Sequence, residues 1–379
     1  MKILQMVNFS PDRNSGMVGT AMEVGDALAE AGHEVDYVWR EGAPSRWEQN
    51  FSRFFDEPRL QLRQARAALA HTNYDVVVLH RPHGYRVIQE LAPLHPNCLF
   101  LHFSHGWELC VPSFAPESPT LARRLKDAIA TELLRRHCNS MARLAHGHFV
   151  LNRSDAAFLT DHHGVEPERI CILLLGLNLP IRDHPMRTPP PTGTPARFLF
   201  VGNYVPQKGY SIMEAALLEL AKENNHFTFT CVTHGDQHGG LRQRLGPTLG
   251  GRLRLLTWHK REALMEIYRT HDFLLFPSRY EGFGKVAHEA MACGLTVIGT
   301  NVGVLYDYGV HGENALLSPP GEAAGFLANL RQAAAHPELA NVLGPRARIT
   351  IAVDSWEHTA KCFMQFVERC HKRRAKLIH

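Results

Sequence analysis

The stretch HDFLLFPSRYEGFGKVAHEAMACGLTVIGT, residues 271–300, joins an apolar run, a glycine-rich loop, a helix-like segment and a second apolar run. HDFLLFPS predicts a strand, RYEGFG a loop, KVAHEAMAC a helix ended by Gly294, and TVIGT the next strand. A strand, a crossover helix and a second strand are the repeating unit of parallel α/β sheets. The stretch therefore predicts a parallel sheet covered by helices.

The same alternation runs along the whole chain, from KILQMVNF (2–9) and the helix-like segment 21–32 onward. It is interrupted at 181–196 by IRDHPMRTPPPTGTPA, which carries five prolines and no periodicity and indicates a linker. We predict an α/β protein with two Rossmann-like, doubly wound domains facing across a ligand-binding cleft. The predicted parts are an N-terminal acceptor domain (1–180), the linker (181–196), a C-terminal donor domain (197–355) and a last helix (356–379) packing back on the N-terminal domain.

Composition excludes several classes of protein. The chain has 379 residues, 45% hydrophobic and 21% charged, as is typical of soluble globular proteins. Its apolar runs fall short of the ~18 residues that cross a membrane, and MKILQMVNF fits a first strand better than a signal peptide, so we expect a cytoplasmic protein. Eight scattered cysteines without a C-x-x-C pair argue against a zinc site. A net charge of +4 suits anionic ligands but is too small for a nucleic-acid binder.

Two glutamates, Glu281 and Glu289, lie on either side of the predicted helix start near Gly284. A helix start presents backbone N–H groups and the positive end of its dipole, which favours a phosphate. Carboxylates that touched this phosphate would repel it, so they are better placed to accept hydrogen bonds from hydroxyls attached to it. A nucleotide diphosphate sugar has this layout, with ribose hydroxyls, phosphates and sugar hydroxyls in sequence.

The segment PSRYEGFGKVAHEAMACGLTVIGTNVG (277–303), with glutamates eight positions apart, resembles the signature of the retaining family-4 glycosyltransferases of the GT-B fold. FVGNYVPQKG (200–209) is similar to their phosphate-binding loop, HGENALLSPPG (311–321) to the segment after the signature, and SWEHTAKCFMQF (355–366) to their closing helix. GHEVDYV and FSHGWE resemble the first domain. The resemblance implies sugar transfer from a nucleotide diphosphate sugar to an acceptor hydroxyl, with retention of configuration and without a metal ion or further cofactor.

The resemblance also implies residue roles. Glu289 holds the ribose, Glu281 the donor sugar's hydroxyls, and Lys208 the diphosphate, while His105 faces the reacting sugar and Gly16 lets the first loop approach the phosphates. His105, Lys208 and Glu281 are thus the candidate catalytic residues. The candidate donor-binding residues are Gly16, Gly202, Asn203, Lys208, Arg279, Glu281, Gly282, Phe283, Gly284, Lys285 and Glu289.

Three positions depart from the family pattern. Asn203 stands where an arginine is usual, so that Lys208 acts with help from Arg279 or Lys285. Met17 replaces a second glycine after Gly16. LLGLN (174–178) replaces the usual asparagine-glycine-x-aspartate.

Other interpretations remain open. The two glutamates alone also suit a glycosidase pair, which requires carboxyl groups roughly 5–10 Å apart. Lys208 also fits a surface lysine, and His105 a strand-end residue. The G-x-x-G at 16–19 is not the G-x-G-x-x-G of a dinucleotide site, which argues against an NAD oxidoreductase. A non-catalytic nucleotide-sugar-binding protein and a sugar-nucleotide epimerase are the alternative functions.

The segment 121–143 interleaves basic and apolar residues, and a second basic and aromatic cluster lies at 46–59. Interfacial helices have this composition, and anionic lipids attract such clusters, although a solvated helix face has it more often. The predicted partners are therefore the donor, an acceptor that is a glycan, a lipid-linked sugar or a small molecule, and a peripheral contact with an anionic membrane; nucleic acid is not expected. The basic residues are Arg123, Arg124, Lys126, Arg135, Arg136 and Arg143, and the aromatic ones Trp47, Phe51, Phe54 and Phe55.

Overall fold

The computed structural model describes residues 1–13, 15–40, 53–110, 120–179, 183–191, 193–223, 226–257 and 261–378. The chain divides into two compact units. The first comprises Met1–Gly176 and Ser355–His379, and the second comprises Leu177–Asp354.

The first unit contains a six-stranded sheet. Its strands are β1 (Lys2–Val7), β2 (Glu34–Trp39), β3 (Val76–Leu79), β4 (Leu99–Phe103), β5 (Gly147–Val150) and β6 (Ile170–Ile172). They lie in the order β2-β1-β3-β4-β5-β6, and all neighbours are parallel. β3 and β4 are buried throughout, as continuous apolar strands of a parallel sheet covered on both faces should be.

Helices connect these strands in the crossover pattern that the alternation predicts. They are α1 (Gly16–Glu30), α2 (Arg53–His71), α3 (Tyr85–Leu91), α4 (Leu121–Leu144) and α5 (Arg153–His163). α1 begins five residues earlier than the helix predicted at 21–32, so Gly16 is its first residue and not part of a loop. The segment expected to form one or two basic helices is the single helix α4.

The second unit repeats this architecture. Its strands are β7 (Ala196–Val201), β8 (Phe227–Thr233), β9 (Leu253–Thr257), β10 (Phe273–Phe276), β11 (Thr296–Thr300) and β12 (Ala315–Ser318). They are all parallel, in the order β12-β11-β10-β7-β8-β9. Its helices are α6 (Tyr210–Glu223), α7 (His238–Leu249), α8 (Arg261–Arg269), α9 (Lys285–Ala292), α10 (Val304–Tyr308), α11 (Ala323–Ala335) and α12 (Ala340–Thr350). The stretch that opened the sequence analysis is β10, a loop, α9 and β11.

The last helix, α13 (Trp356–Ile378), belongs to the first unit. Its Phe363 ring stacks on Phe149 of β5 with ring centroids 4.3 Å apart, and Phe366 meets the same ring edge-on. All three side chains are fully buried. Aromatic burial therefore fixes the end of the chain on the first sheet.

The described part of the proline-rich segment 181–196 belongs to the second unit. The Arg187 guanidinium lies 2.6 Å from the carboxylate of Asp272, which is fully buried. The backbone N–H of Arg187 donates to the Cys293 carbonyl. The adjacent Thr188 donates to the Arg269 carbonyl. A segment predicted as a linker is thus anchored, because a buried aspartate requires a cationic partner.

Candidate active site

The loop after β10 turns into α9 through Gly284, whose φ of 90° lies in the left-handed region that glycine adopts without strain. α9 then begins at Lys285, as the sequence predicts, and the Gly284 carbonyl accepts hydrogen bonds from the Ala287 N–H at 2.9 Å and the His288 N–H at 3.2 Å. Phe283, just before the turn, is buried, and its carbonyl accepts a hydrogen bond from the Val304 N–H at 2.6 Å. The helix start is therefore held rigidly against the beginning of α10.

Glu281 is buried and tightly bound. Its Oε1 accepts hydrogen bonds from Lys208 Nζ at 2.6 Å and from Ser278 Oγ at 2.7 Å. The sequence predicted both Lys208 and Glu281 as site residues but assigned them to different parts of the ligand. The structure joins them directly, so that the lysine offsets the charge of the carboxylate.

Gly209 brings the lysine to this carboxylate. It has a φ of 68°, and a Cβ at this position would overlap the carbonyl oxygen of Pro277. Beside it, the Arg279 N–H donates to the Gln207 carbonyl at 2.8 Å. The loops after β7 and β10 therefore contact each other through their backbones, and any side chain at Gly209 would separate them.

Glu289, the fifth residue of α9, is also buried and held at both oxygens. Asn178 Nδ2 donates to Oε1 at 3.1 Å, and the Tyr268 hydroxyl donates to Oε2 at 3.4 Å. The sequence analysis missed both partners. The departure at LLGLN did single out Asn178, although a local pattern gives no indication that it contacts a residue 111 positions away.

A second buried hydrogen-bond network anchors α9 through His288, the residue before Glu289. His288 Nε2 lies 2.8 Å from Asp354 Oδ2, and the Tyr308 hydroxyl donates to the other oxygen of Asp354 at 2.7 Å. The His288 ring also meets Phe283 edge-on, at 5.1 Å between centroids. This network, which no sequence signal indicated, fixes both ends of the turn into α9.

The loop after β7 carries the remaining predicted donor residues. Gly202 is buried, and the exposed Asn203 Oδ1 lies 3.0 Å from Nε2 of His234, which follows the neighbouring strand β8. Gly282 is buried, whereas Arg279 and Lys285 are half-buried. The predicted donor residues of the second unit thus all follow β7 or β10, which are adjacent in the sheet.

The other two predicted residues lie in the first unit. His105 follows β4 and is half-buried, and its Nε2 lies 2.8 Å from Nδ1 of His80. Gly16 is exposed, and a Cβ there would meet no atom within 4 Å. At Gly19, in contrast, a Cβ would lie 2.5 Å from the Arg13 carbonyl oxygen. A glycine is therefore required at position 19 by close packing inside the first unit.

Within the part of the chain that the structure describes, no group of three or more His, Cys, Asp or Glu side chains is arranged to hold a metal ion. Among the same residues, no helix is both long and apolar enough to cross a membrane.

Comparison with solved structures identifies the fold. The sucrose-phosphate synthase of Thermosynechococcus elongatus superposes with a TM-score of 0.77 at 22% identity, over 98% of this chain and 100% of that one. Anabaena HepE in complex with UDP superposes with a TM-score of 0.67 at 15% identity, over 97% of this chain and 100% of that one. The two six-stranded units are therefore the two Rossmann-like domains of a GT-B fold.

Family models match both units. The model described as Glycosyltransferase Family 4 matches residues 14–179, and the model described as Glycosyl transferases group 1 matches residues 195–336. The chain belongs to the family-4-like glycosyltransferases. One relative of this chain is the D-inositol 3-phosphate glycosyltransferase of Rhodococcus jostii, which is 30% identical over an alignment of 221 residues that covers 53% of this chain and 48% of the relative. The chain spans about half the length of the curated relatives it matches.

Proposed function

We propose that this protein transfers a sugar from a nucleotide diphosphate sugar to an acceptor hydroxyl, with retention of configuration and without a metal ion. The observation that carries the proposal is the Lys208–Glu281 pair beside the start of α9, with Glu289 buried in the same helix. A phosphate at the helix start would lie between the two carboxylates along the chain. The comparisons support the general class, and the donor, retention and metal independence are our proposals.

The pair explains how a carboxylate can lie near a diphosphate. An unpaired Glu281 would repel the ligand, but Lys208 offsets its charge at 2.6 Å. A lysine ammonium has three donors, so Lys208 can keep Glu281 and also donate to a phosphate oxygen. Glu281 then accepts from a sugar hydroxyl through its remaining lone pairs, and Glu289 accepts from the ribose.

The chemistry requires stabilisation of the leaving diphosphate. As the bond from the anomeric carbon to the diphosphate oxygen breaks, negative charge grows on that oxygen, and Lys208 and the N–H groups at the start of α9 stabilise it. In a reaction with retention, the acceptor hydroxyl attacks from the face that the diphosphate leaves. The diphosphate oxygen then takes the proton that the acceptor loses.

The relatives suggest the chemical class of both substrates. UDP is bound in the Anabaena structure, and the curated Rhodococcus relative is named a D-inositol 3-phosphate glycosyltransferase. For this chain we propose a nucleoside diphosphate sugar as donor, since UDP is the nucleoside diphosphate that such a donor releases. The acceptor is a hydroxyl of a glycan, a lipid-linked sugar or a small polar molecule.

Donor binding provides the first test. The thermal-shift assay is run in EDTA. We expect one nucleoside diphosphate, at about a hundred times its own dissociation constant, to stabilise the protein by ~2.7 kcal/mol. Glu289→Gln removes a charged acceptor, which is worth about 1.5–3 kcal/mol, and should weaken binding roughly 10–100-fold. Glu313→Gln, at an exposed position of the same unit, is the matched control and should change nothing.

The same assay separates the alternatives. No shift with any nucleotide, or a shift with NAD alone, would contradict the proposal. Formation of an isomerised nucleotide sugar in the absence of acceptor would indicate an epimerase. A protein that binds the nucleotide sugar but neither transfers nor slowly hydrolyses it would be non-catalytic. Transfer that is lost in EDTA and restored by manganese or magnesium would disprove metal independence.

We also propose a peripheral contact with an anionic membrane through α4. Its first half exposes Leu121 (83%), Leu125 (62%) and Ile129 (45%), which share one helix face at a spacing of four residues. Arg124 and Lys126 are exposed beside them. An apolar stripe flanked by cations suits an interfacial helix.

Some of the residues that the sequence predicted to contact the membrane are buried in the structure. Phe54 is buried against His83 and His137 and is a core residue, and Met141 of α4 is fully buried. Phe55 is 52% exposed. Trp47 and Phe51 lie outside the described residues, as does the side chain of Arg123.

Co-sedimentation with liposomes tests this contact. We expect binding to vesicles containing phosphatidylserine at low salt, and loss of binding at high salt because the charges are screened. Replacing Leu121 and Leu125 with serine should weaken binding at least about tenfold, since each buried leucine contributes roughly 1.5–3 kcal/mol. A matched control replaces two exposed aliphatic residues of the other unit, Ile349 and Val353, with serine. Equal binding of both double variants would rule out α4 as the contact.

A further inference from the structure

The chain passes between its two units twice. It leaves the first unit after Gly176 and returns to it at Ser355. We call residues 174–179 the first crossing and residues 352–360 the second crossing. Inside the first unit the two crossings are in direct contact, because a Cβ at Gly176 would lie only 2.3 Å from the backbone nitrogen of Trp356. A displacement of one crossing therefore reaches the other.

Inside the second unit, both crossings are bonded to neighbouring residues of α9. Asn178, in the first crossing, donates from Nδ2 to Glu289 Oε1 at 3.1 Å. Asp354, in the second crossing, has its Oδ2 2.8 Å from His288 Nε2. Glu289, His288 and Asp354 are buried and Asn178 is half-buried, so water competes little for these hydrogen bonds. One helix thus holds the chain at both places where it enters and leaves the second unit.

We propose that α9 is the common anchor of the two crossings, and that Asn178 and Asp354 are positioning residues that couple the placement of Glu289 to the local stability of both crossings. Side chains that share one hydrogen-bonded and packed network respond together when one bond is removed. The coupling between the crossings concerns the protein alone. Its extension to nucleotide binding rests on the proposed function, in which Glu289 accepts a hydrogen bond from the ribose.

Hydrogen exchange of the full chain without ligand measures this coupling. Three backbone N–H groups of the second crossing are hydrogen-bonded and can report on it, those of Asp354, His358 and Thr359. Asn178→Leu keeps a side chain of similar size in the first crossing but removes the donor to Glu289. We expect the three amides of the second crossing to exchange roughly tenfold faster in this variant, since a hydrogen bond to a charged group is lost. Unchanged exchange in the second crossing would overturn the proposal.

A reversal of donor and acceptor tests the bond itself. Asn178→Asp places a second carboxylate beside Glu289, so exchange in the second crossing should rise at least as much as in Asn178→Leu. Adding Glu289→Gln restores the bond in the opposite direction, because the glutamine amide donates and the aspartate accepts. Exchange should then return to within about twofold of wild type. Asn73→Asp, at an exposed position of the first unit, is the matched control and should change nothing. A double variant that exchanges as fast as Asn178→Asp would show that this bond does not hold the crossings.

Nucleotides test the extension to the ligand. The probes are UDP, TDP, GDP, ADP and CDP, each added in EDTA. We expect the one that binds to slow exchange in the second crossing about tenfold in wild type, and less than about twofold in Asn178→Leu, because coupling between two sites is commonly of that size. Binding that leaves the second crossing unchanged in wild type would overturn the ligand part. If no probe binds but the variants without ligand behave as expected, the proposed function fails and the common anchor stands.

Discussion

Replacing Lys208 with alanine is expected to lower kcat on the order of 10²–10³-fold, while the KM for the donor rises far less. In the proposed reaction the leaving diphosphate gains charge beside this cation, and a preorganised donor at such a position is worth most in the transition state. Steady-state kinetics with the donor found in the thermal-shift assay measures both constants. A stable Lys208→Ala protein whose kcat falls less than about fivefold would contradict this role.

Loss of Lys208 has a second effect, because Glu281 remains buried without its cation and keeps Ser278 as a partner. We expect destabilisation of roughly 1–3 kcal/mol, reduced by the partial exposure of the lysine. The double variant Lys208→Ala, Glu281→Gln separates the two effects. If the carboxylate charge that Lys208 no longer offsets repels the donor, glutamine restores donor binding. If the missing cation limits the chemistry, kcat stays low.

Lys222→Ala is the matched control for this experiment. Lys222 and Glu219 form an ion pair of the same length, 2.6 Å, on the exposed face of α6 in the same unit. Exposed pairs contribute between about 0 and 1 kcal/mol. This variant should therefore keep both its stability and its kcat, which would show that burial at the site gives Lys208 its effect.

The parts of this site that the sequence predicted correctly are local. The strand, loop, helix and strand of 271–300 can be predicted because apolar periodicity and the glycines at 284 and 294 act within a few residues. The start of α1 was predicted too late for a related reason. The glycines in SGMVGT suggest a loop, but packing against the Arg13 carbonyl requires Gly19 within the helix.

The partners of the site residues could not be predicted, because the contacts join distant parts of the chain. Asn178 contacts Glu289 across 111 positions, and His288 contacts Asp354 across 66. Each pair depends on which strands become neighbours, and a single sequence does not specify that order. The proline-rich segment was predicted as a linker because proline count is a local property, whereas its anchor, Arg187 on Asp272, is not.

The second large effect we expect is acid sensitivity of the first unit. His80, His102 and His148 are buried in its sheet, and desolvation lowers the pKa of His80 and of His102 to about 3 and that of His148 well below its usual value. His102 and His148 approach within 3.3 Å between their Nδ1 atoms, which places two imidazoles side by side without a carboxylate among the contacts described. Protonating either ring would place a charge in the core.

The sign follows from where the protons bind. In the unfolded chain a histidine binds a proton below about pH 6.5, and in the folded unit these three do so only at much lower pH. Stability is therefore complete above pH 6.5 and is lost as the pH falls toward 3. At pH 5 the unfolded state gains roughly 2 kcal/mol per histidine, or about 6 kcal/mol for the three. That loss is a large part of the 5–15 kcal/mol that stabilises a typical protein.

Hydrogen exchange at pH 7 and pH 5, corrected for the intrinsic pH dependence of amide exchange, resolves the two units. Peptides from β3, β4 and β5 should lose protection first, because in the described part of the second unit burial lowers the pKa of His271 only to about 4, and otherwise lowers that of His184. His148→Gln should reduce the pH slope of the first unit by up to about 1.4 kcal/mol per pH unit. The exposed His336→Gln should leave it unchanged. If both units lost protection together at pH 5, protonation of these buried histidines could not be the cause, since only the first unit contains them.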